Sequence, residues 1–303
     1  MIYIADENDE GKRLDLRVAE VLSDVSRSKV QSAIKDGKIL VNNAVKKSSY
    51  TLKEDDVVNI GDIISEPVRI EPENIPLDIV YEDENMLVVN KPSGMLTHPT
   101  NQEVTGTLVN ALLYKFGGNL SNLNGEFRQG IVHRLDRNTS GLLMIAKNNM
   151  THEFIAEQIK NHKIEKKYRA ILKGVWEKDE EIIDLPIGRN PKQPHKMAVI
   201  PDGKESQTIV KVIKRYKEAT AVELTLITGR THQIRVHTSY KGHPVYNDTL
   251  YGAGKGKVLT DEQVLQSFSL RFTKPFSDEI ILLEIPADEK YNKVQKYLEG
   301  REK

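Results

Sequence analysis

Apolar positions along the 303-residue chain change period several times, and each change marks an element. In "RLDLRVAEVL", Leu14, Val18, Val21 and Leu22 recur at helical spacing. "SRSKVQSAIKDGK" predicts a second helix: Ser26 or Ser28 caps its start, Val30 and Ile34 form the inward stripe, and Gly37 ends it. "KILV" then reads as a short strand, "NN" as a turn and "DDVVNI" as a closing strand. "EPVRIEPENIPLD", with three prolines and no periodicity, predicts a linker. Beyond it, "IVYEDENMLVVNKP" predicts a hairpin and "GTLVNALLYKFGG" a helix ended by glycines. "GIVHRLDRNTSGLLMIA" reads as strand, loop and strand, and "THEFIAEQIKNHK" as a helix with Phe154, Ile155 and Ile159 inward. "SQTIVKVIKRY" and "AVELTLI" have the lengths of strands. Strands with interspersed helices give an α+β class: a mixed, largely antiparallel central sheet with flanking helices, preceded by a small α/β domain. The expected division is a small domain over residues 1–70, a linker to about 78, and a larger domain over 79–303.

Composition narrows the chemistry. There is no cysteine, which excludes disulfides, cysteine nucleophiles and thiolate metal sites together. Formal net charge is zero, so only local clustering can speak of a polyanionic partner. Such a cluster exists. From Arg27 to Lys47 six Lys/Arg face one acid, Asp36, and Arg27, Lys29 and Lys35 avoid the apolar stripe. A solvated helix face explains this as well as a phosphate-tracking surface does. No apolar run approaches the roughly 20 residues that span a bilayer. The acidic start "MIYIADENDE" lacks the build of a signal peptide, so a cytoplasmic location is expected.

Four segments could carry chemistry. "HRLDRNTSG" sets Asp136 between Arg134 and Arg137 and follows it with turn formers, which predicts a loop beside an apolar strand. Alone, this reads most simply as an ion pair on a turn, and otherwise as a carboxylate kept ionised for a reaction. "TGRTHQIRVH" crowds Arg230, His232, Arg235 and His237 at the start of a short helix, a place that favours anions. The two histidines are five apart, not the four that stacks ligands on one helical face, so metal is disfavoured. "KKYRAILKG" puts Tyr168 in a strand among cations, suited to base stacking or to plain core packing. "NKPSGMLTHP" is a loop after a strand, with His98 as a turn residue. No phosphate-loop, dinucleotide-binding or nucleophile-elbow glycine pattern occurs.

In this order, and with "GTLVNALL", "IGRNPKQPHKMAV" and "HTSYKGHPVYNDTLYG" between and after them, these segments resemble the RluA family of RNA pseudouridine synthases. The likeness is strongest to the RluD- and RluC-like members that modify large-subunit ribosomal RNA. The amino-terminal part resembles the small RNA-binding module of the ribosomal-protein S-four type, and together the likeness covers Gly11 to Pro286. The resemblance implies the pseudouridine synthase fold and an isomerase that detaches a uracil, turns it and rejoins it through carbon, with no cofactor and no metal. It implies Asp136 as catalytic carboxylate, Arg235 as its ionic partner, and Tyr168 against the target base, placed for proton transfer. Arg134 enters the RNA stack when the uridine swings out, while Arg137 is expected to touch phosphate or solvent. Arg27, Lys29, Lys35, Arg230 and His232 are the further RNA contacts expected. RNA is the implied partner of a monomeric enzyme with no membrane association. A non-catalytic ribosome-assembly factor on this fold and a tRNA-modifying synthase are the alternatives. One departure from the family pattern stands in "LQSFSLRFTKP": Gln266 and Ser267 replace a frequent His-Ala, and Lys274 a frequent His. It bears on packing or RNA contact, and so on the target more than on the reaction.

Overall fold

The chain divides between Arg69 and Ile70 into two units. The computed structural model describes residues 1–22, 25–61, 69–100, 102–252, 254, 258, 260 and 262–301. The first three residues of the expected linker, 66–68, lie outside the described residues.

The first unit runs β1 (Ile2–Ile4), α1 (Leu14–Val21), α2 (Arg27–Lys35), β2 (Ile39–Val41) and β3 (Val57–Ile60). Ser26 caps α2 by accepting the Lys29 amide at 3.4 Å. Asn42 and Asn43 both take positive φ, as a tight turn after β2 requires. The antiparallel order β1–β3–β2 includes a strand that was not predicted. Ile2–Ile4 is too short for its alternation to register, and its pairing with Val57–Asn59 is non-local. Leu14, Val18, Val30, Ile34 and Val58 form the core. Beside it Asp15 is fully buried, bonded by Arg13 (3.0 Å), Arg27 (3.0 Å) and Gln31 (2.6 Å). Arg13 above all holds this carboxyl well below the usual range; burial opposes it, and Gln31 and Arg27 assist.

The second unit continues with β4 (Ile79–Glu82), β5 (Met86–Lys91), α3 (Leu108–Phe116), β6 (Ser140–Ala146), α4 (Asn149–Lys160), β7 (Glu165–Lys173), β8 (Glu180–Asp184), β9 (Ile187–Arg189) and β10 (Met197–Val199). It closes with β11 (Gln207–Arg215), β12 (Ala219–Leu226), α5 (Gln233–Tyr240), β13 (Leu265–Thr273), β14 (Ile280–Glu284) and α6 (Glu289–Glu299). Strands order as β4–β5–β6–β13–β7–β12–β11–β8, with β14 also on β13, and β9 and β10 form a separate pair. Among the described strands of the large sheet, only the β6–β13 contact is parallel. The α+β class with a largely antiparallel sheet is therefore the observed one. Alternation along β7 sorts its two faces: Tyr168, Ala170 and Leu172 join the core under α3 and α5, while Ile171 joins that of α6. On the α6 side of the sheet, α4 packs Ile155 against Met86, Val88, Leu142 and Met144.

Two expectations need correction. "GIVH" is not a strand. Ile131 makes one isolated bridge to Ile145, and the Met144 amide is taken by the His133 imidazole (2.9 Å) rather than by backbone. On α4, Ile159 packs half-buried against the same core as Ile155, as expected, but Phe154 is half-buried and meets Phe276 instead. Thr151, His152 and Gln158 share the buried face with Ile155, and Gln158 bonds the Thr273 backbone in both directions.

Where β6 meets β13, Gly141 has φ +116° opposite Ser267, and a Cβ there would overlap the Ser267 backbone. Gly141→Ala should lower the stability of this unit by about 3 kcal/mol or more, because strain and a backbone clash combine. Denaturant midpoints compared with wild type check this, and an unchanged midpoint would contradict the close approach.

Candidate active site

Asp136 sits in the 132–139 loop before β6, and its chain neighbours are held from the β5–α3 connection. The Thr97 hydroxyl donates to the Leu135 carbonyl (2.9 Å), and the Leu135 amide donates back to Thr97 Oγ1 (3.3 Å). Lys91, fully buried, donates from Nζ to the carbonyls of Pro92, Met95 and Arg137 at 2.8, 2.8 and 3.0 Å. Burial, and after it the nearby Lys290, pushes the Lys91 ammonium down to about 7. The residues before and after Asp136 are thus fixed by different side chains.

Asp136 Oδ2 accepts from Arg235 Nη1 at 3.2 Å, which brings together two side chains 99 residues apart. Arg235 comes from α5 and is 7% exposed. Its Nε and Nη2 donate to both oxygens of Asp248 at 2.6 and 3.0 Å, and its guanidinium lies 5.0 Å from the Tyr251 ring centre. Burial works against the Arg235 charge, but Asp248 and Asp136 outweigh it and hold the guanidinium above its ordinary range. Asp248 Oδ1 is itself fixed by the amides of Leu250 and Tyr251, both at 3.1 Å.

His232 precedes α5 with a left-handed backbone, φ +57°. Its Nε2 lies 3.8 Å from Asp136 Oδ1 and its Nδ1 2.7 Å from the Tyr251 hydroxyl. That hydroxyl accepts the Met197 amide at 3.0 Å and can donate its own proton to Nδ1. The imidazole then carries its hydrogen on Nε2, facing Asp136. Burial lowers the His232 pKa and Asp136 offsets part of that, so the ring is neutral near pH 7. His237 plays no part here. It is fully buried, donating from Nε2 to the Leu185 carbonyl and accepting from Thr208 at Nδ1, both at 2.9 Å.

Tyr168 reaches the same cleft from β7; burial above all pushes its hydroxyl up, so it is a phenol. The cleft encloses about 470 Å³ and is lined by Asp136, Tyr168, Arg235, His232, Arg230 and Arg134 among others. Arg134 is exposed and makes no ion pair among the described residues. Arg230 is exposed as well, with Nε on the Glu205 carbonyl (3.0 Å). The two arginines flanking Asp136 differ, for Arg137, exposed to solvent as expected, also pairs with Glu103 through Nη1 and Nη2 (2.9 and 2.5 Å). His98 lies at a bend, as expected of a turn residue, but is buried, and burial, then Arg134 and Arg128, pushes its imidazole down to about 4. Arg27 is committed through Nε and Nη2 to Asp15 in the other unit. Lys29 and Lys35 are exposed there, with no ion pair among the described residues. No group of three metal-ligating side chains is gathered among the described residues.

The resemblance points to Asp136, Tyr168 and Arg235, which the structure brings to one cleft, but gives no role to Asp248, Tyr251, Thr97 or Lys91. Asp248 and Tyr251 stand in "YNDTLYG", whose only local signal is that of a turn. Thr97 and Lys91 act across 38 and 46 positions.

The sequence profile of the RNA pseudouridylate synthase family matches residues 85–240, and that of the S4 domain matches residues 12–58. An uncharacterized RNA pseudouridine synthase of Bacillus subtilis, YlyB, is 42% identical over 285 residues, 94% of this chain and 93% of its own. Ribosomal large subunit pseudouridine synthase D of Zymomonas mobilis is 39% identical over 280 residues, 88% of this chain and 87% of its own. Among solved structures, human RNA pseudouridylate synthase domain containing 1 superposes with a TM-score of 0.57 at 29% identity, covering 73% of this chain and 86% of that one.

The proton placement on His232 can be read directly. Nitrogen-15 spectra at neutral pH should show a bare Nδ1 and a protonated Nε2, and Tyr251→Phe should mix the two tautomers. A protonated Nδ1 in the wild type would refute the assignment.

Proposed function

We propose, from the premise that this chain belongs to the RNA pseudouridylate synthase family, that Asp136 is its catalytic carboxylate and that its target uridines lie in large-subunit ribosomal RNA. The observation that carries the first part is the carboxylate itself: backbone-clamped on both sides, bonded on one oxygen by a buried Arg235, and open to the cleft on the other. The reaction breaks the bond from uracil N1 to C1′, turns the base and joins C5 to C1′; the C5 hydrogen leaves as a proton and N1 takes one up. Asp136 either attacks C1′ or assists proton loss from C2′ in a glycal route. Both need an oxygen held in place and not fully engaged by hydrogen bonds.

Tyr168 packs against the base in this reading and, as a phenol, donates to it or relays a proton. Arg134, exposed at the cleft and without an ion pair among the described residues, suits insertion into the stack left by the extruded uridine. Extrusion costs a few kcal/mol, and a filled gap offsets part of it. The ribosomal target is supported by relatives named ribosomal large subunit pseudouridine synthase D, at 39% and 37% identity, and by the S4 domain. Arg230, His232, Lys29 and Lys35 complete the proposed RNA contacts.

Asp136→Asn should stop tritium release from C5-labelled uridine in large-subunit ribosomal RNA while binding of that RNA persists. Undiminished release by the variant would sink the assignment, and a wild type that binds this RNA and releases nothing would favour an assembly factor. A second outcome concerns the amino-terminal unit. Lys29→Ala with Lys35→Ala should flatten the dependence of log Kd on log salt by about one to two, since each lost phosphate contact removes roughly 0.7–0.9. An unchanged slope would place those lysines away from RNA.

A further inference from the structure

Lys166 stands two residues before Tyr168 on β7, so the two side chains leave the same face of the sheet and line the same cleft. It is 7% exposed, yet among the described residues its ammonium has neither a carboxylate nor a hydrogen-bond acceptor. The other two deeply placed lysines are treated differently. Lys91 donates to three carbonyls, and Lys290 donates to Ser93 Oγ, Asn138 O and Gln263 O at 2.8, 3.1 and 3.2 Å. Among the described residues no carboxylate pairs with Lys166. A Cβ on Gly229 would lie 3.7 Å from its Nζ, and His133 beside it is held neutral, pushed down to about 3 by burial and by Lys166. The nearby rim adds Lys160, Arg230 and Arg134, all cations.

An ammonium with little water around it and no counter-charge weakens a fold, and its remaining exposure is toward the cleft, where a ligand can answer it. A uracil carbonyl offers a hydrogen bond but no charge, whereas a phosphodiester offers both. We propose that Lys166 is a phosphate subsite, taking the phosphodiester next to the uridine that enters the Asp136 site. Burial alone lowers its pKa in the free protein, and an adjoining phosphate restores the charged form. The inference rests on the reading above in taking this cleft as the seat of the RNA.

The test uses the full chain and an unmodified transcript of bacterial large-subunit ribosomal RNA. Lys166→Met keeps the apolar stem and removes the charge; Lys166→Arg keeps the charge. Lys166→Met should hold or raise the Tm of the free protein while weakening RNA binding about tenfold, the scale of one lost charge-assisted hydrogen bond. Its salt slope should be shallower by about 0.7, the value for one single-strand phosphate, with Lys166→Arg close to wild type. A lowered Tm would make Lys166 a structural residue. Weaker binding at an unchanged slope would move the contact to a base, and unchanged binding would remove the subsite. Each of these overturns the proposal. Tritium release by the wild type is read separately, so a failure of the Asp136 assignment shows there and leaves the slopes interpretable.

Discussion

One guanidinium, that of Arg235, is divided between two carboxylates, and the geometry of the cleft follows from that division. A buried guanidinium must satisfy a rigid fan of donors, and Asp248 takes one edge with both oxygens. This fixes the plane of the group and leaves Nη1 aimed at Asp136. A lysine could not do the same, since a rotating ammonium would follow whichever acid moved. Asp248 is immobile in turn because the Leu250 and Tyr251 amides hold Oδ1. The order of dependence runs from a turn, to a carboxylate, to a guanidinium, to the carboxylate that faces the cleft. The last of these keeps one oxygen without a hydrogen bond among the described residues.

From the opposite side, the Asp136 loop is fixed by polar groups whose burial carries a desolvation cost. Lys91 is a fully buried cation whose three acceptors are all backbone carbonyls, a costly arrangement compared with an apolar side chain of the same volume. The start of α6 adds Asp288 on the Ser140 hydroxyl and Lys290 on the Asn138 carbonyl. A misplacement of about 1 Å in a reacting group can lower a rate 100-fold. Buried polar clamps around a loop are consistent with that demand, since apolar packing resists displacement less directionally.

Elements whose signals are local were legible in the chain. The Ser26 cap, the Asn42–Asn43 turn and the β4–β5 hairpin each carry their cause within a few residues. The failures share the opposite property. Ile2–Ile4 is a strand because a partner more than 50 positions away accepts it. "GIVH" has strand composition but yields its ladder position to the His133 side chain. Asp136 read alone suggests an ion pair with Arg134 or Arg137, yet Arg137 pairs with Glu103 and Arg134 with no acid among the described residues. The resemblance, not the spacing, led to Arg235. Asp248, which orients it, lies in a turn that any polar residue could have filled.

A net charge of zero also conceals what the fold does with charge. Around the cleft the cations fall into two kinds. Arg235 is matched inside the protein by two acids, and its position is therefore settled before any ligand arrives. Arg134 and Lys166 have no acid among the described residues, so an anion that pairs with them comes from outside. A matched cation gives placement; an unmatched one gives binding energy that appears only in the complex. Exchanging the two roles would leave composition and net charge untouched, but an unmatched Arg235 would drift and a matched Lys166 would have no reason to meet phosphate. The division of acids among the cations, rather than their number, is what suits a neutral chain to a polyanionic substrate.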